Sequence, residues 1–492
     1  MLARKPAPTV ASERASAKAA HPAQVSTRLL WEIVAIGAVL RLIALGHKSF
    51  WLDEIASVVL ARTPASWFWH WLWHEEGNMT LYYVLLRPWL HLGLSETTVR
   101  LLSVIPGIAS IPMMYLLAAR LFGKSIGILA ALLFALNTCA VVYAQEARSY
   151  SLLLLGTIAA TYLFVRLVER PTMWRALVYA LVAAATLYCH YFAMLVVASH
   201  LASVAFLPAG RRPWGRLVVA WFVLGAMAVP AAWMIHLQDP GHLNWVKPPS
   251  WLELYHLGAF LAAESGKYVG SALLALDLVL IGFCYLPLKR AWSAPNPGMD
   301  RWRYMLVLSC LVTPILISLA ISIAIPIFFH RFLIICLPAW ILLVAVGVEQ
   351  IRSHRQRVAA IAGVCLLSLI STGISYTRTR EDWRSVARDL IAQAGPEDRV
   401  LYYEPIAYFA AENYRDWLPG GNIARPAGVM VVANNEDWRK KIETTPRVWL
   451  VTYPVGLHDK TQAEIEAELE KRMTVAGQKS FRAVTVTEYR TR

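Results

Sequence analysis

Phe50-Trp51-Leu52-Asp53-Glu54-Ile55-Ala56-Ser57 is the stretch on which the class of this chain turns. It follows directly on an apolar segment, residues 29–45, close to the length a helix needs to cross a bilayer. Two adjacent carboxylates, flanked by Trp51 and an apolar run, therefore emerge at a membrane surface. Charge beside hydrocarbon is costly, roughly 2.5–3.5 kcal/mol at a helix centre and less near an interface. Such a pair is either an interfacial turn whose acids face water or a pair that does chemistry. The stretch alone leaves both readings open.

Composition settles the broad class. The chain has 492 residues, 57% of them hydrophobic and only 16% charged. That is the composition of a polytopic membrane protein. Lys and Arg outnumber the acids 47 to 32, which would suit a nucleic-acid binder, but their placement argues for a bilayer instead. Cys139, Cys189, Cys284, Cys310, Cys336 and Cys365 all lie in apolar segments. They offer neither a disulfide framework nor metal-ligand spacing and read as small core residues.

Residues 1–27 are Ala, Pro, Ser and basic residues without periodicity, which predicts a disordered cytoplasmic tail. No small-residue cleavage site follows Leu45, so the first apolar segment stays as a transmembrane helix. Arg41 stands near its outer end, placed to snorkel or to meet Asp53 and Glu54. In the first outer loop, 47–99, Trp67, Trp69, Trp71 and Trp73 alternate before His74-Glu75-Glu76-Gly77-Asn78. The run Leu81–Leu94 is short and holds Arg87, Pro88 and His91, which predicts a juxtamembrane helix at the interface. Spans are expected near 100–119, 125–143, 150–168, 175–189, 191–208, 214–234, 268–288, 303–325, 331–349 and 357–376. With the first helix they make about eleven.

The basic residues fix the orientation. With the N-terminus inside, twenty Lys and Arg fall in the tail and inner loops, among them Arg120, Lys124, Arg170, Arg211, Arg290 and Arg355. Eight fall in the outer segments, among them Lys48, Arg100, Arg148 and Arg331. This obeys the positive-inside rule, and making 81–94 a span would reverse it. Asp53 and Glu54, Gln145-Glu146-Ala147-Arg148, Tyr188-Cys189-His190-Tyr191, the 235–267 loop and His330-Arg331 then share the outer face. Singly, each has a plain structural reading: a local Glu146–Arg148 ion pair, a core histidine, a helix end. Together, beside an aromatic loop, they read as one site.

Beyond Tyr376 the composition turns hydrophilic. Apolar runs at 400–403, 429–433, 448–453 and 483–486 alternate with helical patterns at 382–394, 435–443 and 461–472. This predicts a small soluble α/β domain over 379–492, outside the membrane because it follows an eleventh span. Gly-rich phosphate loops and zinc signatures are absent from it, and no cofactor is expected.

The ordered set of motifs resembles a known family. Trp51-Leu52-Asp53-Glu54 after helix one, an aromatic loop running into Tyr82-Tyr83, and Arg100-Leu101-Leu102-Ser103 are similar to the bacterial branch of the protein O-mannosyltransferases. So are Gln145-Glu146-Ala147-Arg148-Ser149-Tyr150, His190-Tyr191, and His330-Arg331-Phe332-Leu333 before Leu337-Pro338-Ala339. These are polytopic glycosyltransferases of the C-type fold, which includes the lipid A aminoarabinose transferases. The resemblance spans most of residues 28–376, within the transmembrane glycosyltransferase domain expected over 28–378.

It implies inverting transfer of a sugar from a polyprenyl-phosphate carrier to an envelope acceptor (lipid, glycan or protein) at the outer face of a bacterial inner membrane. The residues suit that chemistry. An acceptor hydroxyl needs a carboxylate to take its proton, and Asp53 supplies one, with Glu54 beside it to orient Arg41 or the acceptor. A departing lipid phosphate needs cationic donors, which Arg331 and Arg148 provide. Glu146, His330, His190, Tyr82, Tyr83 and Arg41 complete the expected substrate-binding set.

Asn78-Met79-Thr80 stands where many relatives carry Lys-Pro-Pro. That removes one phosphate contact and leaves a divalent metal near the site an open matter. The competing class is a transporter or flippase, whose marks are inverted repeats and ionisable residues near the bilayer centre. No internal repeat is present here, and the polar groups fall at helix ends.

Overall fold

A computed structural model describes residues 27–238, 245–264, 268–294, 298–378, 380–418, 428–431, 438–443, 445–453 and 459–492. The tail expected over 1–27 lies outside these but for Thr27. Among the described residues, seven helices are long and apolar enough to cross a membrane. Helix α1 covers residues 27–42, and α2 (Leu52–Arg62), α3 (Ala65–His74) and α4 (Thr80–Trp89) fill the first loop. Then come α5 (Glu96–Phe122), α6 (Lys124–Leu136), the short α7 (Thr138–Val142), α8 (Tyr150–Glu169), α9 (Met173–Leu187) and α10 (Ala193–Val204). The second half holds α11 (Trp214–Leu237), α12 (Trp251–Ala263), α13 (Val269–Gly282), α14 (Tyr285–Ser293), α15 (Asp300–Ile321), α16 (Leu337–Glu349) and α17 (His354–Thr377).

Each of the eleven expected spans meets a helix or a pair of consecutive helices, but four meet shorter pieces. α6, α9 and α10 are apolar helices below 18 residues, and the described part of α1 is of similar length. The span expected over 125–143 breaks at Asn137. Its Oδ1 accepts from Ala140 N–H (3.0 Å), capping α7, while its Nδ2 donates to the Leu261 carbonyl (2.9 Å). A side chain that competes with the backbone in this way ends one helix and starts the next. The span expected from 331 opens with a tight turn, Phe332–Cys336, before α16. The outer loop 235–267 contains α12, which periodicity did not separate from its surroundings.

The apolar run 332–349 forms the centre of the bundle, 94% buried across its window, against 22% for α11 and 28% for α17. A helix apolar on all sides belongs in such a place. Close packing there depends on Gly347, where a Cβ would stand 1.9 Å from the Leu280 carbonyl oxygen of α13. Gly347→Ala is therefore expected to force α13 and α16 apart. About 1–3 kcal/mol of stability should be lost, as for other overpacked cores, and a thermal melt in detergent checks it.

After α17 come α18 (Trp383–Gln393), α19 (Pro405–Trp417), α20 (Trp438–Ile442) and α21 (Asp459–Glu470), with strands β1 (Arg399–Tyr402), β2 (Gly428–Val431), β3 (Arg447–Thr452), β4 (Met473–Phe481) and β5 (Val484–Thr491). The sheet order is β2-β1-β3-β5-β4, parallel across β2, β1 and β3 and antiparallel from β3 to β4. Four of these strands overlap the expected apolar runs, of which residues 432–433 lie outside the described ones. β4 went unread because it is an edge strand whose residues are mostly exposed, so no apolar alternation marks it.

This α/β unit sits against the Asp53 stretch. Phe50, 1% exposed, packs its ring on Tyr414 and Trp417 of α19. The Phe50 N–H donates to Tyr414 Oη (2.7 Å), and the Leu52 N–H donates to Glu381 (3.2 Å). Arg384 donates to the Gly46 and His47 carbonyls.

Candidate active site

Helix α2 begins one residue before Asp53, so Asp53 and Glu54 occupy its first turn about 100° apart around the axis. That rotation sends the two carboxylates to different places. Glu54 turns inward and is fully buried. Arg100 of α5 donates to it through Nε (2.8 Å) and Nη2 (2.7 Å), a bidentate pair. The same carboxylate accepts the Trp51 N–H (3.2 Å) and the Ala147 N–H (2.7 Å). Arg100 also donates to the carbonyls of Leu45, Lys48 and Ser49. One ion pair thus ties α2, the turn before it and the 146–148 loop together. The expected Glu54–Arg41 contact is not formed. Arg41 is fully buried and donates to the carbonyls of Gly37 and Ala135, 3.0 Å each. A buried guanidinium takes whatever acceptors are in reach, and here these are backbone carbonyls.

Asp53 turns outward, its side chain 32% exposed. Arg331 Nη1 donates to Asp53 Oδ2 at 3.3 Å, and Arg148 Nη2 stands 3.9 Å from the same oxygen. Arg148 is steadied by donating to Tyr83 Oη (3.2 Å) and Ser57 Oγ (3.3 Å), and Tyr83 Oη in turn donates to Glu76 (3.2 Å). The Nε–H groups of Arg148 and Arg331 are buried without a partner among the described residues. Two guanidiniums side by side concentrate positive charge around Asp53, an arrangement able to receive an anion.

Asp53, Glu76, Tyr83, Arg148 and Arg331 line a cavity of about 720 Å³ together with Asn78, Tyr150, His190, Tyr191 and Gln238. Much of its remaining wall is apolar: Leu60, Met79, Ile235, Trp245, Ile325, Ile327 and Phe332. Trp71, Ile235, Trp245 and Ile325 are exposed, so the apolar side reaches the surface of the bundle. Asn78 holds the far wall, its Oδ1 accepting the Tyr191 N–H (2.9 Å) and its Nδ2 3.2 Å from His190 Nε2. Burial, with Arg148 adding to it, lowers the His190 imidazole to about 3. Burial and then Arg331 lower His330 to about 4. Both rings are neutral at neutral pH and are no proton source there.

Of the residues singled out from sequence, the cavity gathers Asp53, Tyr83, Arg148, His190 and Arg331. The others stand elsewhere. Tyr82 is buried with its hydroxyl on Ser103, which donates to the Arg148 carbonyl (3.0 Å), so it supports the wall from behind. His330 packs against Phe260 and Phe329. Glu146 forms no ion pair with Arg148 but one with Arg380 (2.9 Å), and it lines a second cavity of about 450 Å³ with Lys48, Trp51, Glu264 and Arg378. Sequence reasoning missed Arg100 as the partner of Glu54, and missed Glu75 and Glu76 in the cavity wall. It also missed Arg380, although a signal existed: Arg378 and Arg380 end the last span on the face where basic residues are otherwise sparse.

Residues 81–236 match the family model described as dolichyl-phosphate-mannose-protein mannosyltransferase. No curated protein sequence matches the chain. Among solved structures it is similar to ArnT from Cupriavidus metallidurans in the apo state, at 12% identity and a TM-score of 0.61, covering 94% of this chain and 98% of that one. The same protein bound to undecaprenyl phosphate gives 14% identity and a TM-score of 0.57 over the same shares. The archaeal oligosaccharyltransferase AglB from Archaeoglobus fulgidus, in complex with an inhibitory peptide and a dolichol-phosphate, gives 11% and 0.51, covering 86% and 69%. The expected architecture is borne out: this is the C-type glycosyltransferase fold, a helical membrane unit followed by a small sheet domain.

Proposed function

We propose that the chain transfers a sugar from a polyprenyl-phosphate carrier to an acceptor of the cell envelope, with inversion at the anomeric carbon. The reaction takes place at the outer face of the cytoplasmic membrane, the N-terminus lying inside and the 379–492 domain outside. The observation that carries this reading is Asp53 beside the Arg331 and Arg148 guanidiniums, in a cavity that is charged around them and apolar toward the bundle surface. A diphilic donor, phosphate at one end and isoprenoid at the other, matches that division. The family-model match and the undecaprenyl-phosphate and dolichol-phosphate bound to structures of the same fold support it. The charged groups of this cavity, Asp53, Glu76, Arg148 and Arg331, lie in loops or in the first turn of a helix, whereas a transporter would carry its ionisable site at mid-span. The buried Asp277 of α13 and His200 of α10 stand apart from the cavity, bonded to Trp340 and to Tyr179 and Thr161.

In the transfer, the acceptor oxygen attacks the anomeric carbon from the side opposite the phosphate. The new C–O bond forms as the sugar–phosphate bond breaks. The hydroxyl proton passes to Asp53, and the charge arriving on the phosphate oxygen is met by Arg331 and Arg148. A single displacement without a covalent intermediate inverts the centre, as in inverting glycosidases.

The test uses the full chain in nanodiscs with undecaprenyl-phosphate-linked sugars and envelope extracts from cells lacking the gene. Released undecaprenyl phosphate and a sugar-sized mass gain on an envelope lipid, glycan or protein are expected. An untouched donor, with identical envelope masses in cells with and without the gene, defeats the proposal. Arg331→Ala should lower donor use about ten- to hundredfold, the loss of one charge-assisted hydrogen bond worth roughly 1.5–3 kcal/mol. Initial rates against donor concentration measure it, and wild-type kinetics would return Arg331 to the role of a helix end.

A further inference from the structure

The two cavities are lined by charges that compete. Trp51 lines the smaller cavity, and two guanidiniums lie over its ring: Arg380 of that cavity at 3.9 Å from the centroid and Arg331 of the larger cavity at 5.0 Å. Each is held by its own carboxylate, Arg331 by Asp53 (3.3 Å) and Arg380 by Glu146 (2.9 Å). Glu146 is only 7% exposed, and its second oxygen, Oε2, has no partner among the described residues. An ionised carboxylate so placed draws any cation within reach. Arg331 is a cation close at hand, since it shares the Trp51 ring with the Arg380 that Glu146 holds.

We infer that Arg380 is a positioning residue for the transfer: by occupying Glu146, it leaves Arg331 on Asp53 and available to the donor phosphate. This rests on the transfer reading for its consequence, though not for its geometry. It also gives the C-terminal domain a part in the site. Arg380 lies in the short link between α17 and α18, and the neighbouring Glu381 accepts from Tyr453 Oη (2.9 Å) and from the Leu52 N–H (3.2 Å). Docking of the sheet domain therefore sets where Arg380 stands relative to Trp51 and Glu146. The domain holds the Asp53 stretch from behind and keeps the neighbouring acid neutralised.

The decisive comparison is Arg380→Ala against Arg380→Ala/Glu146→Gln, made in the full chain. Arg380→Ala frees the Glu146 charge, Arg331 swings to it, and the KM for undecaprenyl-phosphate-linked sugar rises about tenfold, the size of one charged hydrogen bond. Removing that charge in the double variant returns Arg331 to Asp53 and brings the KM back to within about threefold of wild type. A purely structural Arg380 predicts no such rescue, so a double variant as weak as the single one overturns the inference. So does an Arg380→Ala enzyme with the wild-type KM. A crystal structure of Arg380→Ala decides the geometry without any assay: Arg331 on Glu146 supports the inference, Arg331 still on Asp53 ends it. If the wild-type protein transfers no sugar, the proposed function fails, while this structural comparison still gives its answer.

Discussion

Asp53→Asn should lower sugar transfer about 10²–10⁴-fold, the range expected when a positioned general base is removed. The amide has nearly the volume of the carboxylate, and its oxygen can still accept from Arg331, but it takes no proton from an attacking hydroxyl. Little stability is at stake. With its side chain 32% exposed and the Arg331 contact at 3.3 Å, Asp53 resembles a surface ion pair, which contributes about 0–1 kcal/mol. The variant should therefore insert and melt like wild type. Donor affinity should hold or tighten, because a negative charge beside the phosphate has gone. Product formation and donor KM in nanodiscs separate the two effects. A normal rate would remove Asp53 from the proton transfer.

Glu54→Gln, one residue on, should fail differently, through loss of the fold. Its carboxylate is fully buried against Arg100 and also takes two backbone N–H groups. Breaking a buried pair from one side costs about 3–5 kcal/mol, a large part of the 5–15 kcal/mol that holds a typical domain together. The loosened parts would be the turn at 45–49, the start of α2 and the 146–148 loop, since Glu54 and Arg100 join them. Poor yield and a lowered melting temperature are expected, with residual activity tracking the folded fraction. A well-folded but inactive Glu54→Gln protein would instead place Glu54 in the chemistry. Arg100→Ala should repeat the stability loss, which no role for Glu54 as a base would predict.

The two adjacent acids show how far local sequence reaches. That Asp53 and Glu54 differ in direction follows from helical geometry alone. Which of them faces the cavity does not, because Arg100 lies 46 residues away and Ala147 lies 93 away. For the same reason the local Glu146–Arg148 ion pair, the plain structural reading of near neighbours, does not form, and each residue has a more distant partner. Glu146 took Arg380, and Arg148 took Tyr83 and the Asp53 side. Charged side chains are long, and in a poorly hydrated setting they pair by distance in space.

The sequence by itself determined the number and order of the apolar segments, the stretches that gather at one end of the bundle, and the α/β character of the tail. Hydrocarbon tolerates no unpaired backbone, so apolar length and helix are tied together segment by segment. Alternation does the same for the inner strands of the sheet. Only the tertiary structure decided the pairing of charges: Asp53 with Arg331, Glu54 with Arg100, Glu146 with Arg380. It alone divided these groups between two cavities, one with Arg331 and one with Arg380, both guanidiniums lying over the Trp51 ring. Those outcomes depend on which side chains the packing of α2, α5, the 143–149 loop and the 326–331 loop brings within a few ångströms. Coulomb energy is steep at that range and carries no trace in sequence spacing.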